Sequence, residues 1–448
     1  MEKDLVDVGN QRQLLFDDFF FDRRDNIKLT LHPPTPREVV LESDKPWESK
    51  GVHYSSVIFD QGKYRMWYRS DEGESPREDG KEKQLTCYAE SSDGVAWEKP
   101  DLGIYSWNGS TGNNIVMSPE HGANPSVIID PNLETGSGRY KMILRAGRIA
   151  GFVSEDGLNW DYQATVVDTG RFDSHNALLW DDESRKYVVY ARDMPEWTGP
   201  RRSIRRGESS DFKNWSHFET LITPDGEDPP DLNIYTNAAV KYFRAARSFF
   251  MFPMILYTER QYPGTPYPGL SDVQFLSSRD GINWNRNFRQ PFLSPGLDER
   301  NWVDRNPIMG IGIVPTGPTE ISMYHSELLR SKESRFRRCS LRTDGFVSVE
   351  GPYTGWGEFT TRPLQFEGQR LELNYSTSGG GGIQVEIQNE DGEPFDGYGL
   401  SDCPVIFGDK IAGFVDWSGV ERLDRLAGQA IRLRVRLRDA HLYAFRFA

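Results

Sequence analysis

The sequence is poor in cysteine, in excess positive charge and in long apolar runs. Its 448 residues include only Cys87, Cys339 and Cys403, which lie far apart and form no C-x-x-C pair. This spacing argues against a disulfide framework and against a zinc knuckle. The sequence has 53 Lys and Arg residues and 67 Asp and Glu residues, which gives a net charge of −14. We therefore expect no nucleic-acid partner, because the phosphate backbone attracts basic surfaces.

No stretch approaches the roughly 18 apolar residues that a membrane span requires. The first residues, Met1 to Asp7, lack the basic and apolar segments of a secretory signal. We expect a soluble chain with no membrane partner. Its compartment follows from processing: secreted or periplasmic if a signal peptide has been removed, and cytoplasmic otherwise.

A short turn motif recurs five times along the chain. Its aspartates are spaced 63, 55, 69 and 64 residues apart, and they are Asp93, Asp156, Asp211, Asp280 and Asp344. Glycine follows the aspartate in four copies, and Asp-Gly favours a hairpin because glycine tolerates positive φ while the carboxylate bonds backbone amides across the turn. Each interval has room for one four-stranded unit. The spacing therefore predicts a five-bladed β-propeller.

The repeat stops near Gly351. From Phe359 onward, strand-like runs separated by glycine-rich turns are typical of a β-sandwich. The predicted fold class is thus all-β, a five-bladed β-propeller followed by a C-terminal β-sandwich. We place the propeller, with an N-terminal lead-in strand, at 1–352 and the accessory sandwich at 353–448.

The predicted inner strands begin with polar residues that would line a central funnel. The second strands of three repeats end in arginine, whose forked donors suit a carboxylate, a sulfate or several hydroxyls. The alternative is that these arginines only neutralise nearby acids. The predicted substrate-binding residues are His53, Arg69, Arg145, His175, Asn176, Arg192, Tyr235, Trp302 and Asp304.

Cleavage of a glycosidic bond usually needs two carboxylates, one to protonate the leaving oxygen and one to attack or to activate water. The candidates are Asp18, Glu48, Asp173 and Asp231. Asp173 and Asp231 begin inner strands, and Glu48 just precedes the first of them. Asp18 lies in an apolar run, where an unpaired carboxylate is costly. Its alternative role is to bond a turn amide or an arginine.

Three histidines, His53, His175 and His325, would fall near one ring of the funnel if the repeats align. Imidazole is a common metal ligand, and nearby Asp and Asn oxygens would suit calcium. A structural calcium or other central ion is therefore an open option. No catalytic metal is predicted, and no cofactor is expected to be required.

Several segments occur in an order that resembles a known group. They are Phe16-Asp17-Asp18, Pro46-Trp47-Glu48, Tyr64-Arg65-Met66-Trp67-Tyr68 and Ser92-Asp93-Gly94. This order is similar to bacterial proteins related to glycoside hydrolase families 32 and 43, over nearly the whole chain. The resemblance implies a five-bladed furanosidase-type propeller with an accessory sandwich and a carbohydrate substrate. The Trp-Met-Asn-Asp-Pro-Asn, Arg-Asp-Pro and Glu-Cys motifs of family 32 are absent.

The expected function is that of a glycoside hydrolase acting on an oligo- or polysaccharide through paired carboxylates in the funnel. One alternative is an inverting glycoside phosphorylase, in which the arginines bind phosphate. Another is a non-catalytic propeller that binds carbohydrate. The expected partner is a carbohydrate in each case, and an anionic one if the arginines bind it directly.

Overall fold

The computed structural model describes residues 5–73, 83–132, 138–196, 199, 201–329, 331–420 and 422–448. Within these ranges the chain is all-β, as predicted, with short 3₁₀ turns at Pro46–Glu48 and Glu299–Asn301. None of its described helices has the length and apolarity needed to cross a membrane. The chain divides into two compact units. We call 34–241 with 249–340 the repeat unit, and 1–33 with 242–248 and 341–448 the terminal unit.

The strands are short except for two in the C-terminal part. Their bounds are β1 Val6–Gly9, β2 Gln13–Leu14, β3 Phe21–Asp25, β4 Lys28–Leu31, β5 Thr35–Glu42, β6 Gly51–Asp60, β7 Lys63–Glu72, β8 Lys83–Ser91, β9 Ile115–Met117, β10 Ala123–Ile129, β11 Tyr140–Arg145, β12 Ile149–Ser154, β13 Asp161–Val167, β14 Ala177–Asp181, β15 Lys186–Asp193, β16 Ser203–Ser209, β17 Glu219–Ile222, β18 Leu232–Ile234, β19 Val240–Lys241, β20 Phe249–Met251, β21 Met254–Tyr257, β22 Leu270–Val273, β23 Leu276–Ser278, β24 Trp284–Asn285, β25 Ile308–Met309, β26 Val314–Pro315, β27 Glu320–Glu327, β28 Arg335–Arg342, β29 Val347–Glu350, β30 Gly357–Thr361, β31 Leu364–Phe366, β32 Leu371–Gln388, β33 Asp409–Phe414 and β34 Arg432–Phe447.

Each predicted repeat contains its own sheet in the repeat unit. The strand orders are β6-β7-β8-β9, β10-β11-β12-β13, β14-β15-β16-β17, β19-β20-β23-β24 and β25-β27-β28-β5, with β26 paired to β27. A further sheet, β18-β21-β22, belongs to the fourth repeat. The count of five blades stays a prediction, because the strands of the fourth repeat divide between two sheets.

The recurring turn joins neighbouring sheets as well as neighbouring strands. In the first copy Asp93 accepts hydrogen bonds from the amides of Val95 and Ala96, both at 2.8 Å, while Gly94 adopts a φ of 76°. The Gly94 carbonyl accepts a bond from the Tyr324 hydroxyl of β27 at 2.7 Å. Equivalent glycine carbonyls accept from aromatic side chains of β7 and β15. The carboxylates of four of the turn aspartates, Asp93, Asp156, Asp211 and Asp280, each accept two backbone amides in this way.

The hydrophobic core of the repeat unit lies between successive sheets. One cluster combines Trp67 and Tyr88 of the first sheet with Tyr140 and Phe152 of the second. The innermost strands also meet directly, because the Ser56 hydroxyl of β6 accepts from Val127 of β10 at 3.0 Å. This packing brings the first residues of the inner strands near one another.

The terminal unit is built on β34, which pairs with β32 along most of its length and also with β29 and β30. The division differs from the predicted boundary at residue 352, because the N-terminal strands pair with C-terminal ones. β1 pairs with β31, β3 with β30 and β4 with β29. The segment 242–248 joins them since the Tyr242 hydroxyl donates to Asp344 at 2.8 Å. Asp344, in the fifth turn, is fully buried.

Candidate functional site

A cavity of about 650 Å³ opens among the inner-strand starts of the repeat unit. This volume falls within the range of about 300–1,000 Å³ that is common for small-molecule sites. Five predicted site residues line it, namely His53, Arg69, Asp173, Tyr235 and Asp304. The other lining residues are Lys50, Tyr54, Asp71, Gln84, Thr265, Pro266, Tyr267, Arg300, Val303, Arg305, Leu328, Leu329, Ser331 and Glu333.

Irregular backbone shapes the entrance of the first two inner strands. The β6–β7 register shifts between His53 and Ser56, and Tyr54 has a φ of 54°. The β10–β11 register shifts in the same way, with Asn124 at a φ of 65°. Such bulges interrupt the ladder and re-aim a side chain, and they are common beside functional sites. Here they leave Tyr54 and Asn124 outside the regular strand pairing.

Arg69 and Asp71, two residues apart on β7, form a buried bidentate pair. The Arg69 Nε and Nη2 atoms donate to the two carboxylate oxygens of Asp71 at 2.6 and 2.7 Å. His53 Nε2 lies 2.9 Å from Asp71 Oδ2. Although burial raises the pKa of Asp71, the Arg69 guanidinium and the hydrogen bond with His53 hold that pKa well below its usual range. Asp71 is therefore ionised and positions the Arg69 side chain. Arg69 also donates to the side-chain oxygen of Asn124 at 3.3 Å.

Asp173 is the one solvent-facing carboxylate of the cavity wall with no hydrogen bond among the described residues. Its side chain is 76% exposed, and its nearest cation is Arg145 Nη1 at 4.0 Å. Asp304 is buried and lies 3.2 Å from Arg305. Glu333 pairs with Arg300 at 3.0 Å. Asp173 is thus the acid that is free to face a ligand.

Positive charge is concentrated beside these acids. Arg145 bonds the Gln84 side chain, and burial together with the nearby Arg69 lowers the pKa of Arg145. Arg192 lies with its guanidinium carbon 4.1 Å from the centre of the Tyr235 ring. The structure therefore brings the three predicted arginines, Arg69, Arg145 and Arg192, to one region of the repeat unit. Such forks are suited to oxyanions and to vicinal hydroxyls.

Glu48 does not line the cavity. It is fully buried, and its carboxylate accepts from the amides of Asp44 and Lys45, from Lys99 Nζ at 2.7 Å and from the Tyr68 hydroxyl at 2.7 Å. With both oxygens occupied, Glu48 anchors the turn that leads into β6. This placement differs from the predicted catalytic role, because the chain preceding β6 folds inward onto the first sheet.

Asp18, Asp231 and Trp302 are also among the predicted residues that do not line the cavity. Asp18 belongs to the terminal unit, where its half-exposed carboxylate pairs with Arg24 at 2.5 Å. Asp231 accepts from the Glu259 amide at 3.2 Å. Trp302 donates its indole N–H to Gly296 at 2.9 Å and stacks on Tyr262.

His175 and Asn176 support the backbone of the third repeat. His175 is fully buried and donates from Nε2 to the Pro125 carbonyl at 2.8 Å. Asn176 accepts from the Arg192 amide at 3.0 Å and donates to the carbonyls of Phe172 and Ser174. Both side chains are therefore used for inter-strand bonding.

The burial of His175 predicts a pH dependence of stability. Burial lowers its pKa from 6.5 to about 4, so the unfolded chain binds the proton more readily between these values. We expect the free energy of unfolding to fall by about 3 kcal/mol from this group as pH falls from 6.5 to 4. The free energy of unfolding, measured by urea titration at several pH values across this range, should fall less steeply with decreasing pH for His175→Gln than for the unaltered chain. Equal slopes would contradict the assignment.

The three funnel histidines have separate partners. His53 meets Asp71, His175 meets Pro125, and His325 lies 3.6 Å from Glu327. Among the described residues, no group of three His, Cys, Asp or Glu side chains is arranged to hold a metal ion. The three cysteines are free and buried.

Sequence reasoning did not propose Asp71 and Arg305, which line the cavity, or Arg202, which lies beside the Tyr235 ring. Asp71 lies two residues after Arg69 on β7, and residues i and i+2 of a strand lie on the same face. This spacing could have predicted that Asp71 lies beside Arg69. Arg202 precedes β16 and Arg305 follows a loop, and no periodic pattern marks either position. Their guanidinium carbons lie 5.0 and 5.5 Å from the Tyr235 ring centre.

Comparison with known proteins gives partial matches. No protein-family model matches the chain. A 1,2-β-oligomannan phosphorylase of Thermoanaerobacter sp. is 24% identical over 191 residues, which are 41% of this chain and 57% of that protein. An uncharacterized protein of Mycobacterium tuberculosis is 29% identical over 172 residues, 36% of this chain and 52% of that protein. The chain spans about half the length of the curated relatives it matches.

Two solved structures illustrate the structural matches. An N-acetylgalactosamine deacetylase of F. plautii, in complex with blood group B trisaccharide, aligns with a TM-score of 0.48 at 15% identity, covering 70% of this chain and 95% of that one. A glycoside hydrolase family 43 arabinoxylan arabinofuranohydrolase of Bacillus subtilis aligns with a TM-score of 0.44 at 12% identity, covering 91% of this chain and 97% of that one.

Proposed function

We propose that this chain is a carbohydrate-active enzyme that cleaves a glycosidic bond in the cavity of the repeat unit, with Asp173 as the proton donor. The observation that carries this proposal is the state of the acids on the wall. Asp71, Asp304 and Glu333 are each paired with an arginine, whereas Asp173 faces solvent without a hydrogen bond among the described residues.

The chemistry requires one proton and one nucleophile. Asp173 protonates the leaving glycosidic oxygen, the bond from that oxygen to the anomeric carbon breaks, and a nucleophile forms the new bond to the same carbon. In hydrolysis the nucleophile is water, which needs a second carboxylate as base. Asp304 is the buried lining acid available for this role, and Arg305 orients it at 3.2 Å.

Phosphorolysis is the second candidate, and two observations favour it. Inorganic phosphate brings its own negative oxygen to the anomeric carbon, so one protein acid suffices. The arginines beside Asp173 provide the positive charge that phosphate needs. The similarity to a 1,2-β-oligomannan phosphorylase over part of the chain supports the same reaction.

The two reactions differ in products. We expect purified protein, incubated with a panel of oligosaccharides including β-1,2-mannobiose, to cleave at least one of them. If phosphate is the nucleophile, cleavage is abolished when phosphate is removed and the product is a sugar 1-phosphate, which anion-exchange chromatography detects. If water is the nucleophile, free reducing sugar forms at the same rate without phosphate. Absence of cleavage across a broad panel under both conditions would contradict the proposed enzyme.

A further inference from the structure

The Tyr235 ring is the centre of a cluster of three guanidinium groups. The guanidinium carbons of Arg192, Arg202 and Arg305 lie 4.1, 5.0 and 5.5 Å from the ring centroid. The ring and Arg305 line the cavity, together with Asp173. Tyr235 itself is buried. The one aromatic ring is thus in contact with three cations, whereas a single cation is enough for a cation–π interaction.

This charge is incompletely compensated. Asp304 pairs with Arg305 at 3.2 Å, but within the described ranges neither Arg192 nor Arg202 forms an ion pair. Arg192 Nη2 donates to the Tyr235 carbonyl at 3.1 Å, and Arg202 Nη1 donates to Asn233 Oδ1 at 3.1 Å. Both acceptors are neutral. Two of the three cations therefore lack a counter-ion in this part of the chain.

Donor atoms of the cluster also remain unused. The Nε atoms of Arg192, Arg202 and Arg305 are buried and have no hydrogen-bond partner among the described residues. Burial and then the neighbouring Arg192 lower the pKa of Arg202. A buried donor without an acceptor and a cation without a counter-ion both cost free energy. An anion bound at the cluster would offset both costs.

We propose that Arg192, Arg202 and Arg305 around Tyr235 form an oxyanion site, which binds a phosphate or carboxylate group of the ligand in the cavity. The inference rests on the proposed function in one respect: it assumes that the ligand of the cavity is a sugar or the co-substrate of its cleavage. Neutral hydroxyls do not balance positive charge, whereas an oxyanion accepts several forked N–H donors at once. The negative group comes either from free phosphate or from an acidic sugar.

Calorimetric titration of the full chain tests this directly, without turnover. The probes are inorganic phosphate, glucuronate and, as the neutral match of glucuronate, glucose, all in a buffer without other oxyanions. We expect phosphate or glucuronate to bind with a Kd of about 1 mM or tighter, and binding to weaken as sodium chloride is raised. If phosphate binds and glucuronate binds no more tightly than glucose, free phosphate is identified as the ligand of the site. Tighter binding of glucuronate than of phosphate identifies a sugar acid.

Three variants separate the site from general charge effects. Arg202→Gln removes a half-buried cation and should weaken oxyanion binding at least about tenfold, whereas Arg202→Lys keeps the charge without the fork and should weaken it less. Arg305→Gln gives a second, independent test at the cavity wall. The matched control is Arg148→Gln, which removes an exposed arginine 5.8 Å from the Tyr162 ring and should leave the Kd unchanged.

Two outcomes overturn the inference. One is that neither phosphate nor glucuronate binds the unaltered chain. The other is that both Arg202→Gln and Arg305→Gln bind the oxyanion as tightly as the unaltered chain does. Either result would overturn the oxyanion site without contradicting glycosidic cleavage. If the chain instead binds an oxyanion but cleaves no glycoside, the oxyanion site is supported and the proposed enzymatic function is contradicted.

Discussion

Replacing Asp173 by asparagine is expected to lower the kcat for glycosidic cleavage by about 100- to 10,000-fold, the range for losing a general acid. Asparagine keeps the size of the side chain but has no proton to give to the leaving oxygen. Because the Asp173 side chain is 76% exposed, the free energy of unfolding should change by less than about 0.5 kcal/mol. Steady-state rates and urea unfolding measure the two quantities on the same preparation.

The leaving group distinguishes proton donation from a structural role. A glycoside with a dinitrophenyl leaving group departs without protonation, so Asp173→Asn should cleave it at a rate close to that of the unaltered chain. Equal losses of kcat on both substrates would show that Asp173 acts in some other way.

Asp231→Asn is the matched control for this variant. Asp231 directly precedes β18, but it bonds the Glu259 amide at 3.2 Å and does not line the cavity. Its kcat should stay within about twofold of the unaltered value, a change of less than about 0.5 kcal/mol. A loss as large as that of Asp173→Asn would mean that the reacting bond lies nearer to Asp231.

Replacing Glu48 by alanine is expected to destabilise the repeat unit by about 3–5 kcal/mol, the usual cost of breaking a buried ion pair. The carboxylate accepts from Lys99 and Tyr68, each at 2.7 Å, and from two backbone amides. Alanine leaves a largely buried ammonium group and a buried hydroxyl without this acceptor. Urea unfolding monitored by tryptophan fluorescence measures the change.

An ion pair of the same unit with an exposed carboxylate provides the control for Glu48→Ala. Asp182 pairs with Lys241 at 2.6 Å, and its side chain is 69% exposed. Asp182→Ala should change the free energy of unfolding by less than about 1 kcal/mol, as surface pairs do. If Glu48 were instead a catalytic acid, Glu48→Ala would abolish cleavage while leaving the unfolding curve in place.

The all-β class and the recurring turn were predictable because they depend on local chemistry. Asp93 accepts the amides of Val95 and Ala96, two and three residues ahead, and Gly94 supplies the positive φ. The division into units was less predictable. β1, β3 and β4 pair with strands more than 300 residues away, and nothing in their own sequence names those partners.

The roles of the acidic residues at the candidate site were also not predictable from the sequence. Asp173 and Glu48 both stand beside inner strands and have the same functional group. Only the folded chain distinguishes them, because Lys99 and Tyr68 reach Glu48 from other segments while no hydrogen-bond partner within the described ranges reaches Asp173. The role of a carboxylate depends on which donors surround it, and those donors come from distant parts of the sequence.

The sequence by itself determined the strand-rich class, the period of the repeat and the polar character of the inner-strand starts, since these follow from turn chemistry and residue type. The tertiary structure decided which charges compensate one another. It paired Arg69 with Asp71, left Asp173 facing solvent, and placed Arg192, Arg202 and Arg305 around Tyr235. Such charge balance depends on distances across several sheets, which no local pattern specifies.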